Sequence, residues 1–68
     1  METINNNFAI QFNRDQMRPF RWELLQFNKN DNKWYVIRRS GEKSVVIKLA
    51  HHYIKYNLDI LKFRGRDK

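Results

Sequence analysis

No cysteine occurs among the 68 residues of this chain, so neither a disulfide nor a cysteine-based zinc site can support its fold. A domain of this length buries only about 60% of the surface that its unfolded chain exposes. Small domains compensate for a thin core with dense aromatic packing or with oligomerisation. Aromatic residues make up 15% of the chain. We therefore expect one small domain built on aromatic packing, with a homodimer as the alternative source of stability.

Two segments are predicted to be strands, and the first alternates between faces in the way that a half-buried strand does. In FAIQF, Phe8, Ile10 and Phe12 share one face. The second segment, FRWELLQF (20–27), follows Pro19, which cannot donate to a strand ladder, and it is apolar on both faces. NKNDNK then supplies turn residues. The pattern predicts antiparallel strands joined by turns.

The segment KWYVIRRSGEKSVVIK (33–48) predicts a tight hairpin with Ser40 and Gly41 in its turn. In this register four apolar side chains share one face: Trp34, Val36, Val45 and Ile47. The hairpin also carries five basic residues against one acid.

The next segment, AHHYIKYNLDILKF (50–63), changes to a helical period. Its stripe consists of Ala50, Tyr53, Ile54, Asn57, Leu58 and Leu61, while His51, His52, Lys55, Asp59 and Lys62 take the polar side. A shorter helix that ends near Asn57, followed by a strand in LDILKF, is the alternative.

These elements predict an α+β fold, an antiparallel three- to four-stranded meander with one C-terminal helix packed on a sheet face. The helix is expected on the Trp34 and Val36 side. Residues 1–63 form the predicted domain, and residues 64–68 form a basic flexible tail.

The net charge is the strongest functional signal, because 14 basic residues outnumber seven acidic ones and give +7. Residues 18–48 alone hold eight basic and three acidic residues. Such a surplus favours a polyanionic partner, nucleic acid before anionic lipid.

The resulting hypothesis is a small basic protein that binds DNA or RNA with its sheet or hairpin. Arginine and lysine would contact phosphates, and aromatic rings would stack on bases. The candidate nucleic-acid-binding residues are Arg21, Trp22, Lys33, Tyr35, Arg38, Arg39, Lys43, Lys48, Arg64 and Arg66.

Two alternatives remain open. One is a protein-interaction module or inhibitor, of phage or mobile-element origin, that uses the aromatic sheet face. The other is a small ribonuclease, with its groups drawn from His51, His52, Tyr53, Arg38 and Arg39.

We predict that the protein is not an enzyme and needs no metal or other cofactor. Adjacent histidines on a helix point about 100° apart and do not chelate one ion as an i, i+4 pair does. The chain has only two glycines, Gly41 and Gly65, so it contains no glycine-rich phosphate loop.

The sequence shows no signal peptide and no apolar stretch near the roughly 20 residues that a transmembrane helix needs. We therefore expect a cytoplasmic protein that does not bind membranes, located in the host cell cytoplasm if the protein is viral.

Overall fold

The computed structural model describes residues 1–17 and 20–64 of the chain. Within these residues, four strands precede two helices. The strands are β1 (Glu2–Thr3), β2 (Phe8–Phe12), β3 (Trp22–Asn28) and β4 (Lys33–Ser40), and the helices are α1 (Lys43–Lys55) and α2 (Ile60–Arg64).

The strands form one antiparallel sheet in the order β1-β2-β3-β4, and α1 packs against it. The predicted fold class, an α+β meander with a C-terminal helix on one sheet face, is thus confirmed. The alternating pattern of FAIQF predicts β2 at its observed bounds. Two residues of the alternating face, Phe8 and Ile10, are buried in the core.

A β-bulge interrupts the pairing of β3 with β4. Leu24 pairs with Arg38 whereas Leu25 pairs with Val36, so Ile37 is the extra residue in β4. The bulge lets Ile37 join the buried core while Arg39 still pairs with Glu23.

The core lies between α1 and one face of the sheet. Its buried members are Phe8, Ile10, Leu24, Ile37, Val46, Ala50 and Tyr53. Every strand from β2 to β4 contributes to it, and α1 supplies one residue per turn at i, i+4 and i+7. This side carries Ile37 rather than Val36, so the expectation that the helix would cover the Trp34 and Val36 side is wrong.

The predicted hairpin over 33–48 is also wrong in its second half, because residues 43–48 begin α1. The β-branched run of Val45, Val46 and Ile47 favours a strand by intrinsic propensity. Tertiary packing overrides this preference, since only the helical period brings Val46 onto the sheet together with Ala50 and Tyr53. The turn at Ser40 survives as a link between β4 and α1, where the Ser40 hydroxyl accepts a hydrogen bond from the Glu42 amide.

The predicted helix over 50–63 is wrong at both ends, because α1 spans Lys43–Lys55. Asn57 adopts a left-handed conformation with φ of 53° and terminates α1. The Leu58 amide donates to the Tyr53 carbonyl at 2.9 Å and the Asn57 amide to the Ile54 carbonyl at 3.2 Å, which is the Schellman pattern. The alternative was right about this end, but the segment that it assigned to a strand forms α2.

Gln26 joins α2 to the sheet. Its side-chain amide donates to Asp59 at 2.8 Å, and its carbonyl oxygen accepts from the Ile60 and Leu61 amides. The predicted tail, 64–68, falls outside the described residues except for Arg64, the last residue of α2.

Candidate nucleic-acid interface

The solvent-facing side of α1 carries only basic and neutral residues. Val46, Ala50 and Tyr53 face the sheet, so the opposite side turns Lys48, His51, His52 and Lys55 outward, and all four are exposed. We call these four residues the basic ridge. They recur at i, i+3, i+4 and i+7, which places them in one stripe along the helix.

No acidic residue interrupts the helix that carries the ridge. The sequence of α1, KSVVIKLAHHYIK, contains three lysines and two histidines but neither aspartate nor glutamate. Salt bridges along a helix need an acid three or four residues from a base. Lys48 and Lys55 therefore have no such partner within α1 and stay available to an external anion.

Aromatic rings flank the C-terminal end of the basic ridge. The His52 ring lies 4.8 Å from the Tyr56 ring, and the Lys55 ammonium lies 5.5 Å from the same ring centre. Tyr56 is 56% exposed. A ring of this kind beside a cation offers both a stacking surface and a charge.

Arg38 adds a positive charge beside α1. Its Nε donates to the Tyr53 hydroxyl at 3.1 Å, and the residue is exposed. Because that acceptor is neutral, no acidic group offsets the guanidinium charge in this contact, and the remaining N–H donors can bond an anion.

Arg39 is different because its charge is balanced inside the protein. Its Nε donates to the buried Glu23 carboxylate at 3.0 Å. Burial alone would raise the pKa of Glu23, but hydrogen bonds from Gln11, Arg39 and Asn13, together with the Arg39 charge, hold that pKa below its ordinary value of 4.5. Because the two charges offset each other, the pair adds no net charge to the sheet face opposite α1.

Lys43 and Trp22 contact each other at the start of α1. The Lys43 ammonium lies 5.4 Å from the Trp22 ring centre and 3.6 Å from a Glu2 carboxylate oxygen. Trp22 is half-buried, packs against the core and meets Phe12 edge-on at 5.1 Å. These contacts tie the helix start to the sheet, so both residues have structural roles.

Three further candidates lie apart from the basic ridge. Arg21, just before β3, donates from its Nε to the Gln16 carbonyl at 3.1 Å. Lys33 is exposed at the start of β4. Tyr35 is also exposed, and its hydroxyl donates to Asp31, a hydrogen bond that raises the pKa of Tyr35.

The structure places the predicted site residues on several different elements. Arg38 and Lys48 lie on β4 and α1, respectively, whereas the hairpin that was to join Arg38, Arg39, Lys43 and Lys48 does not form. Arg64 is the last residue of α2, and Arg66 lies outside the described residues.

The sequence did contain a signal for the basic ridge that the hairpin prediction obscured. From Lys43 to Leu58 no acidic residue occurs. A helix prediction that began at 43 instead of 50 would have placed Lys48 in the same stripe as His51 and Lys55.

The groups considered for a ribonuclease are divided between two places. Arg38 and His52 both contact Tyr53, the latter at 6.0 Å between ring centres, but Tyr53 is itself buried. Arg39 is held by Glu23. Within the described part of the chain, no three His, Asp or Glu side chains come together so that they could hold a metal ion.

No helix in residues 1–17 and 20–64 is long and apolar enough to cross a membrane. In comparisons with known proteins, no protein-family model, no curated protein and no solved structure matches this chain.

Proposed function

We propose that this protein binds nucleic acid through the basic ridge of α1, with Arg38 as an additional phosphate contact. The observation that carries the proposal is the acid-free outward side of a 13-residue helix in a chain of net charge +7. A helix of this length is about 20 Å long and can follow a nucleic-acid backbone or enter a duplex major groove.

The contacts of the basic ridge would be mainly electrostatic. Lysine ammonium groups and histidine N–H groups donate to phosphate oxygens without reading the base sequence. Each phosphate that a basic residue neutralises releases counterions, which makes the affinity fall as salt rises. The proposal therefore requires a steep salt dependence.

The choice of α1 over the sheet follows from the partners that the arginine and tyrosine side chains of β4 already have. Arg39 is neutralised by Glu23, and Tyr35 is bonded to Asp31. Lys48 and Lys55 have no ion pair within the described residues. The same proposal includes a cytoplasmic location, where nucleic acid is accessible to the protein.

The test compares two variants with the same change in charge. Lys48→Gln with Lys55→Gln removes two charges from the basic ridge, and Arg14→Gln with Lys33→Gln removes two exposed charges elsewhere. Affinity is measured by fluorescence anisotropy with single-stranded DNA, duplex DNA and RNA over a range of salt concentrations.

A plot of log affinity against log salt has a negative slope. We expect the ridge variant to make this slope less steep by about 1.4 to 1.8, as the loss of two phosphate contacts predicts. The control variant should change the slope much less. Equal effects of the two variants would mean that binding follows net charge alone, and a parent protein without measurable binding would refute the proposal.

A second candidate function rests on the other face of the sheet. Phe27 and Trp34 pack there at 5.2 Å between ring centres and stay half-buried, on the same face as the ion pair of Glu23 and Arg39. An aromatic, nearly neutral surface suits association with a second copy of this chain. Sedimentation equilibrium tests it, because a dimer through this face should dissociate in Trp34→Glu and should be insensitive to salt.

A further inference from the structure

A cleft lies between the C-terminal end of α1 and the adjoining ends of β2 and β3. Its volume is about 760 Å³, within the range of roughly 300–1,000 Å³ that small-molecule sites occupy. Residues from the turn after β1, the turn after β3 and the link between α1 and α2 form its rim.

Six of the 15 residues that line the cleft carry carboxamides: Asn5, Asn7, Gln26, Asn28, Asn30 and Asn57. Three of them, Asn5, Gln26 and Asn28, hold the surrounding backbone with their oxygens. The side chains of the other three, at positions 7, 30 and 57, make no hydrogen bond within the described part of the chain.

A carboxamide carries a donor and an acceptor side by side. Nucleobase edges present the same pairs of groups, and asparagine or glutamine can bond an adenine edge with both. Several free amides around one cleft therefore match a base better than they match an anion or an apolar ligand.

Apolar and aromatic side chains form part of the cleft lining. They are Phe8 and Tyr53, which are almost fully buried, and the more exposed Ile54 and Leu58. Apolar side chains beneath and polar groups at the rim are the usual composition of a small-ligand site.

Charge at the rim of the cleft favours a phosphate. Lys29 and Lys62 are both exposed there. The acid in the lining, Asp59, already accepts from Gln26 at 2.8 Å and from the Lys62 amide at 3.1 Å through one carboxylate oxygen. The cleft lining thus carries two lysine charges against one carboxylate, and one oxygen of that carboxylate already accepts two hydrogen bonds.

The cleft and the basic ridge share the C-terminal end of α1. Ile54 and Asn57 line the cleft, and Lys55, the last residue of the ridge, lies between them in sequence. A strand that followed the outward-facing ridge would pass around this end of the helix to enter the cleft.

We infer that the cleft receives one unpaired nucleobase of a single-stranded nucleic acid, with the free amides at its edge and Lys29 and Lys62 at the adjoining phosphate. This inference rests on the proposed function and narrows it to single strands, because a base in a duplex would first have to be unpaired and unstacked, which costs a few kcal/mol.

The first experiment uses mononucleotides, which test the cleft without the basic ridge. The ¹⁵N-labelled protein is titrated with the four 5′-ribonucleoside monophosphates, and ribose 5-phosphate serves as the control that lacks a base. We expect the side-chain amide signals of Asn7, Asn30 and Asn57 to shift with at least one nucleotide and not with ribose 5-phosphate. Absent shifts, or equal shifts with ribose 5-phosphate, would overturn the inference.

The second experiment uses polymers and a matched pair of variants. Asn7→Ala with Asn57→Gly removes two free amides, and glycine suits the left-handed conformation at 57. The control is Asn6→Ala, an exposed neighbour in the same run of asparagines that does not line the cleft. We expect the cleft variant to lose about tenfold in affinity for single strands, within the range for an amide–base contact, and to keep its affinity for duplex.

The two proposals fail separately in these experiments. If Lys48→Gln with Lys55→Gln abolishes polymer binding while nucleotides leave the cleft amides unchanged, the proposed function stands and the base site is refuted. If nucleotides shift the cleft amides while the parent binds no polymer, the base site is supported and the proposed function is refuted. An equal loss of single-strand and duplex affinity in the cleft variant would contradict the preference for an unpaired base.

Discussion

The Glu23 carboxylate accepts hydrogen bonds from two neutral amides and from the Arg39 cation. Replacement of Arg39 by alanine removes the cation and leaves only the two neutral donors. The Glu23 side chain is 2% exposed and the Arg39 side chain 46% exposed. Gln11 donates to one carboxylate oxygen at 2.8 Å, and Asn13 and Arg39 donate to the other at 3.2 and 3.0 Å.

The expected loss lies between two limits. Breaking a fully buried ion pair costs about 3–5 kcal/mol, whereas an exposed pair contributes only about 0–1 kcal/mol. Because half of the Arg39 side chain reaches solvent, we expect Arg39→Ala to lower the free energy of unfolding by about 2 kcal/mol. For a domain of this size that corresponds to a fall in Tm of roughly 8–16 °C.

Arg38→Ala is the matched control, since it removes the same charge from the neighbouring position of β4. Arg38 donates to the neutral Tyr53 hydroxyl, and a hydrogen bond of this kind contributes about 1 kcal/mol. Both variants are compared by urea unfolding followed by tryptophan fluorescence. An Arg39→Ala loss no larger than that of Arg38→Ala would refute the structural role of Arg39.

Acid adds an independent check. The pKa of Glu23 is lower in the folded protein than its ordinary value of 4.5. The stability that Glu23 contributes is therefore present above pH 4.5 and is lost as the pH falls through the folded pKa. The difference between the parent and Arg39→Ala should shrink on acidification from pH 7 to pH 3, and a constant difference would contradict the ion-pair explanation.

Three other predictions concern α1 and its chemistry. Val45→Ala should leave stability unchanged or raise it by up to about 0.5 kcal/mol in urea unfolding, because Val45 is 39% exposed on a helix; a loss above about 1 kcal/mol would favour a strand. Asn57→Val should cost about 1–2 kcal/mol in the left-handed position, whereas Asn57→Gly should not destabilise, and equal thermal stabilities would contradict the Schellman end. Incubation with RNA should give no cleavage on a gel; cleavage that disappears in His51→Ala with His52→Ala while binding persists would instead support the ribonuclease.

The sequence could predict the sheet because strands carry their signal locally. The alternation of Phe8, Ile10 and Phe12 gave the bounds of β2, and the turn residues after Asn28 separated β3 from β4. Net charge likewise needs no structure, so a polyanionic partner was accessible as a hypothesis.

The candidate site was not predicted because it depends on where α1 begins. The run of Val45, Val46 and Ile47 favours a strand by propensity, and its periodicity over so few residues does not correct that preference. Only the apolar sheet face, assembled from three strands, decides between them, since a helix buries Val46, Ala50 and Tyr53 on it at once. That choice moves Lys48 from a hairpin into the basic ridge.

The two neighbouring arginines show the same division between sequence and structure. Sequence determined that Arg38 and Arg39 are charged and lie at the end of a strand. The bulge at Ile37, which no local pattern indicates, directs Arg38 to Tyr53 on α1 and leaves Arg39 opposite Glu23. Local periodicity and net charge are thus properties of the sequence, whereas which charge is neutralised and which is free depends on contacts between residues about 15 positions apart.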